Sequence, residues 1–173
     1  MLKKILVAVD GSPHSVRAVR LASDMASKYD AEIILLHVLL RGHMSAGLKK
    51  AIEVEIGGKS QGAAGNLVNI PHEIMARVKS NAETQLSIEA LDYIAKHVLS
   101  RVSTICAEIG VRKVTKRVEQ GNPAQIIVTI AEEADVDMIV MGSRGLSELR
   151  GIIVGSVSHK VSHLAQCTCV TVR

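Results

Sequence analysis

Phenylalanine and tryptophan are absent from this 173-residue chain, and Tyr29 and Tyr93 are its only aromatic residues. Proteins that hold single-stranded nucleic acid commonly stack its bases on aromatic side chains, so this lack argues against that class of ligand. The charge pattern agrees: 21 lysines and arginines against 17 acids give a net charge of +4, and they are scattered rather than gathered into a basic tract. Cysteine is scarce too. Cys106 stands alone, and Cys167 and Cys169 flank one residue with no second pair to complete a zinc site or a disulfide framework. Buried thiols in a reducing compartment are the plain reading. The opening MLKKILVAVDG has only a five-residue apolar run before Asp10, too short for a signal peptide or a bilayer span. A cytoplasmic protein without membrane contact is expected.

What the chain has is aliphatic. Apolar residues make up 47% and charged ones 22%, the balance of a soluble domain, and the length suits a single domain over 1–173. The continuous run Ile5 to Val9 predicts a central strand buried on both faces. Ser12 can cap the helix that follows, with Pro13 at its first position. Val19, Ala22, Ala26 and Tyr29 then recur at helical spacing, and Ile33 to Leu40 predicts a second strand. Strand, helix, strand in this order is a right-handed crossover unit.

Between about 41 and 82 the periodicity lapses into a glycine-rich insertion, with one short helix expected near 48–55. Leu86, Ala90, Ile94, Val98, Val102, Ile105 and Ile109 mark a long helix ended by Gly110. Val111 to Val118, rich in Arg and Lys, has the composition of an edge strand. Asn122 and Pro123 open a third helix with Ile126, Ile127, Ile130, Ala131 and Ala134 inward, and Met138 to Met141 predicts a fourth strand. Val157, Val161, Leu164 and Ala165 mark the last helix and Cys169 to Val172 the last strand. Five strands alternating with four helices predict a three-layer α/β sandwich around a mostly parallel sheet.

The chemistry is concentrated in one loop, from Met141 to Ser156. Gly142 is placed to take a positive φ at the strand end, and Gly145 lets the backbone approach a ligand closely. Gly155 and Ser156 stand at the start of the last helix, where unpaired amides and the dipole favour phosphate. Ser156 adds a hydroxyl, and Arg144 a guanidinium suited to phosphate oxygens. Glycine-rich loops often serve only as turns. Three glycines at fixed places with Ser or Thr at a fourth, however, arise by chance in fewer than about 1% of chains this size.

The spacing Gly142-x2-Gly145-x9-Gly155-Ser156 resembles the ATP-binding loop of the universal stress proteins. The opening ILVAVDGS at 5–12 and the strand ending LHV at 36–38 are similar to other landmarks of that family. The resemblance covers nearly all of the chain except 41–82. It implies a Rossmann-like sheet of the adenine nucleotide α-hydrolase-like type, in the order 3-2-1-4-5. Asp10 and Gly142 would then face each other across the crevice at the topological switch point. It also implies ATP, accompanied by Mg or Mn, as the ligand. Asp10 and the backbone around Ala8 and Val38 would hold adenine and ribose. Met141, Gly142, Ser143, Arg144 and Gly145 would wrap the ribose and first phosphates, and Gly155, Ser156 and Val157 the outer ones. The short apolar last strand, Cys169 to Val172, and the same resemblance together predict a homodimer through that edge. A phosphate loop without a catalytic base, beside a long insertion, predicts a protein partner that reads the bound state.

Other signals are weaker. The GGKS at 57–60 lacks the earlier glycine of a Walker A loop, since Glu53 stands in that place. His159 and His163, four apart, could share a metal but have no third ligand in view, and solvated side chains are the simpler reading. His14 suits either a phosphate contact or an exposed first turn. No triad or nucleophile elbow is present, and no base is placed to direct an attacking water. A nucleotide-dependent regulator is therefore the expectation, with a slow ATPase or another adenine-nucleotide enzyme as the alternative.

Overall fold

The computed structural model describes residues 1–39, 88–145 and 155–173. The expected insertion at 41–82, its short helix and the GGKS at 57–60 lie outside the described residues. The described elements are β1 (Lys4–Ala8), α1 (Pro13–Tyr29), β2 (Glu32–Leu39), α2 (Ile88–Ile109), β3 (Val114–Gln120), α3 (Pro123–Glu133), β4 (Met138–Gly142), α4 (Ser156–Leu164) and β5 (Thr168–Val172).

Capping chemistry sets the helix starts. Ser12 accepts a hydrogen bond from the Ser15 amide, and Asn122 from those of Ala124 and Gln125, each followed by proline at the first helical position. Asp30 ends α1 in the left-handed conformation, a role its short polar side chain tolerates. The strands form one sheet in the order β3-β2-β1-β4-β5, and all four pairings are parallel. The expected order holds. β3 and β5 are the edges, which accounts for the charge on β3.

Side-chain alternation divides the core in two. Ile5, Val7 and Val9 of the first strand segment pack with Ile33, Leu35 and Val140 under α1 and α2. Leu6, Ile34, Leu36, Ile139 and Met141 point the other way, under α3 and Val161 of α4. Three layers result. Cys106 belongs to the first cluster and is fully buried, where Ser23 donates a hydrogen bond to its sulfur at 3.3 Å. Burial pushes its thiol pKa up, as expected for an inert structural cysteine.

Two of the residues that mark helices by their spacing are exposed. Tyr29, in the last turn of α1, is 59% exposed, and Leu164 of α4 is 51% exposed. Both stand at helix ends, beyond the region the sheet covers. No helix among the described residues is long and apolar enough to cross a membrane.

Candidate functional site

The sheet order puts β1 beside β4, with their next connections leaving in opposite directions. A crevice opens at the carboxyl ends of such strands. Ala8 pairs with Met141 and with Leu36, so Asp10, Val38 and Ser143 emerge at nearly the same height. Ala8, Val38, Met141 and Val157 all lie against the cluster on the α3 and α4 side. The structure thus gathers on one face the positions assigned to adenine and ribose.

Asp10 is oriented by its own loop. Its Oδ1 accepts the Ser12 amide at 2.9 Å, an Asx-type turn at the helix entrance. Its Oδ2 lies only 2.6 Å from where a Cβ on Gly145 would stand. The partner across the crevice is therefore Gly145 and not Gly142, which corrects the sequence-based expectation. The β1–β4 register explains this: Gly142 falls level with Val9, on the opposite face of the sheet from Asp10. A Cβ on Gly142 would meet His14 Cβ at 2.9 Å and Arg144 O at 2.9 Å. Gly142 also has no positive φ, unlike Gly11, Gly110 and Gly121. Its need for glycine comes from close packing against α1, not from backbone handedness.

The ends of the loop are tied together. The Gly155 amide donates to Ser143 O at 2.6 Å, and Ser158 Oγ donates to the same carbonyl at 3.1 Å. The Ser143 amide in turn donates to Val172 O of β5. A Cβ on Gly155 would come within 3.2 Å of Ser143 O, so the approach at the third glycine is also tight, though less so than at Gly142 and Gly145. Residues 146–154 between these ties lie outside the described residues. Ser158 was not singled out in the sequence, although a serine in the first turn of a helix after glycine is a signal for such a tie.

α4 begins at Ser156, which is exposed, with Gly155 as N-cap and no side-chain cap. Among the described residues no side chain caps its leading amides, in contrast to α1 and α3. Nearby, Ser143 is only 2% exposed, yet among the described residues its Oγ has no hydrogen-bond partner, and neither has His14 Nδ1. A buried hydroxyl without a partner is costly, and sites that receive a polar ligand are one place where it occurs. Arg144 is half-buried at the loop's start.

His37 is a site neighbour that entered the sequence reading only as a landmark. Buried within β2, it donates from Nδ1 to Val9 O at 2.7 Å, directly before Asp10. Burial pulls its pKa down, opposed by that hydrogen bond and by the charge of Asp10. A neutral ring is favoured, with the proton on Nδ1. The interruption of an apolar strand by a histidine was the available signal. Among the described residues no three His, Cys, Asp or Glu side chains gather as a metal cluster.

Comparison with known proteins adds independent information. A model of the universal stress protein family matches residues 1–173. The universal stress protein YxiE of Bacillus subtilis is 31% identical over 173 residues, covering all of both chains. Among solved structures, a universal stress protein in complex with cAMP superimposes with a TM-score of 0.62 at 21% identity, covering 99% of this chain and 97% of that one. The universal stress protein from Archaeoglobus fulgidus in complex with dAMP gives 0.61 at 19% identity, covering 100% and 98%.

Proposed function

This chain belongs to the universal stress protein family, and on that premise we propose that it binds ATP and works as a nucleotide-dependent regulatory switch. One observation carries the reading: Asp10, Gly145 and the unpartnered Ser143 hydroxyl converge where β1 and β4 end, beside the uncapped start of α4. Two structural neighbours hold cAMP and dAMP, which supports an adenine nucleotide as the ligand class.

In this reading Asp10 and the backbone at Ala8 and Val38 receive adenine and ribose. Met141 to Gly145 encloses the ribose and first phosphates, with Ser143 Oγ finding its missing partner there. The amides of Ser156 and Val157 meet the outer phosphates at the positive end of α4, and Arg144 adds charge. The glycines serve by letting the loop close tightly on Asp10, His14 and Ser143, where a Cβ would intrude. A bound Mg or Mn ion would neutralise phosphate charge. Occupancy would be read by a partner protein in the cytoplasm. β5, half-buried and at a sheet edge, is the surface we assign to a second copy of the chain.

The test is direct. The purified protein is denatured and its released small molecules are analysed, and ATP binding is measured by calorimetry. Adenine nucleotide in the supernatant, or binding lost on changing Ser143 and Gly145, is expected. Absence of both released nucleotide and measurable ATP binding would overturn the reading. Light scattering at micromolar concentration should give the mass of a dimer.

A further inference from the structure

The exposed face of α4 carries a pair of histidines that the nucleotide reading does not use. His159 and His163 are one turn apart, both exposed, and their ring centroids are 4.6 Å from each other with the planes at 64°. This geometry points to a chelating site for a divalent transition metal of the copper and nickel kind, held by the two imidazoles with water completing the shell.

The donors set the metal class. Imidazole nitrogens suit borderline divalent ions, and affinity at such a site rises along the first row to Ni2+ and Cu2+. With centroids 4.6 Å apart, both rings are close enough to reach one ion at the usual nitrogen–metal distance of about 2.0–2.1 Å. Histidines four apart on one helix face are also the spacing at which two imidazoles reach a common ion. Both side chains are exposed, so the rings can turn their nitrogens together without moving α4.

Among the described residues no third metal-binding side chain joins the pair, so the two imidazoles are its protein ligands there. Cys167 and Cys169 are poor competitors, because burial pushes both thiols up in pKa and away from the ligating thiolate. The clamp would span Val161, which is buried in the apolar core on the opposite side of α4. It would hold the second half of the helix whose first turn begins at Gly155 and Ser156.

The test uses Ni2+, since Cu2+ would oxidise the thiols. Untagged protein is heated with Ni2+, and the melting temperature is compared with that in excess chelator. At a hundredfold excess over Kd, a rise of about 5–10 °C is expected for a domain of this size. His159→Gln and His163→Gln should each weaken Ni2+ binding about a hundredfold, because losing one arm removes the chelate advantage. Cys167→Ser with Cys169→Ser should leave it unchanged. No chelator-reversible shift, or one that survives in both histidine variants, would overturn the proposal. Neither outcome bears on ATP binding, which is measured without added nickel.

Discussion

Glycine-to-alanine changes at 142 and 145 add the same methyl group three residues apart, and the structure assigns them opposite consequences. At Gly142 the new Cβ would lie 2.9 Å from Arg144 O and 2.9 Å from His14 Cβ, with the His14 carbonyl carbon at 3.1 Å. Comfortable separations are about 3.5–4.0 Å. Two of these three neighbours are backbone atoms, so relief requires β4 and α1 to move apart. Overpacking of this kind costs about 1–3 kcal/mol. For a domain of this size each kcal/mol lowers the melting temperature by about 2–4 °C. Gly142→Ala should therefore melt lower by about 2–12 °C, read by circular dichroism or calorimetry.

At Gly145 the close contact is a single side-chain atom, Asp10 Oδ2 at 2.6 Å, with the next neighbour at 3.8 Å. The carboxylate can swing aside, at the cost of its 2.9 Å bond from the Ser12 amide, worth about 1 kcal/mol. Stability should fall little, and ATP affinity by about tenfold or more, since 1.4 kcal/mol already gives a factor of ten. Calorimetric titration of both variants separates the effects. If Gly145→Ala melted lower than Gly142→Ala, or if Gly142→Ala melted like the parent, the close-contact reasoning would be refuted.

Asn122→Ala removes the acceptor for two amides at the start of α3. It should cost about 1 kcal/mol, lowering the melting temperature by about 2–4 °C, while ATP affinity stays unchanged because that cap lies on the far side of β2. An unaltered melt would count against the cap's role. His37 makes stability sensitive to acid. Burial keeps its folded-state pKa below the ordinary value near 6.5, so the unfolded chain takes up the proton first. Its contribution is complete above about pH 6.5 and is lost as pH falls below it, with a slope of up to about 1.4 kcal/mol per unit. His37→Asn should flatten the fall in unfolding free energy between pH 7 and 5, and an unchanged slope would contradict this assignment.

Much of this molecule could be read from the order of its residues. Apolar runs at 5–9 and 138–141 are long enough, and uninterrupted enough, to be nothing but strands buried on both faces. Ser12-Pro13 and Asn122-Pro123 mark helix starts because capping is a local interaction, complete within four residues. The glycine spacing of the 142–155 loop was legible for the same reason, as was its place between a strand and a helix. Its purpose was only half legible. The sequence suggested a positive φ for Gly142 and a pairing with Asp10 across the crevice.

Tertiary structure decided otherwise, because contacts between residues more than a hundred positions apart depend on strand register. The pairing of Ala8 with Met141 sets Gly142 against His14 and leaves Asp10 to Gly145. Register also explains why His37 lies next to Asp10. Strand order and edge positions likewise depend on packing that no local pattern encodes. Local chemistry named the elements and the loop, and the parallel pairing of β1 with β4 decided which side chains meet there.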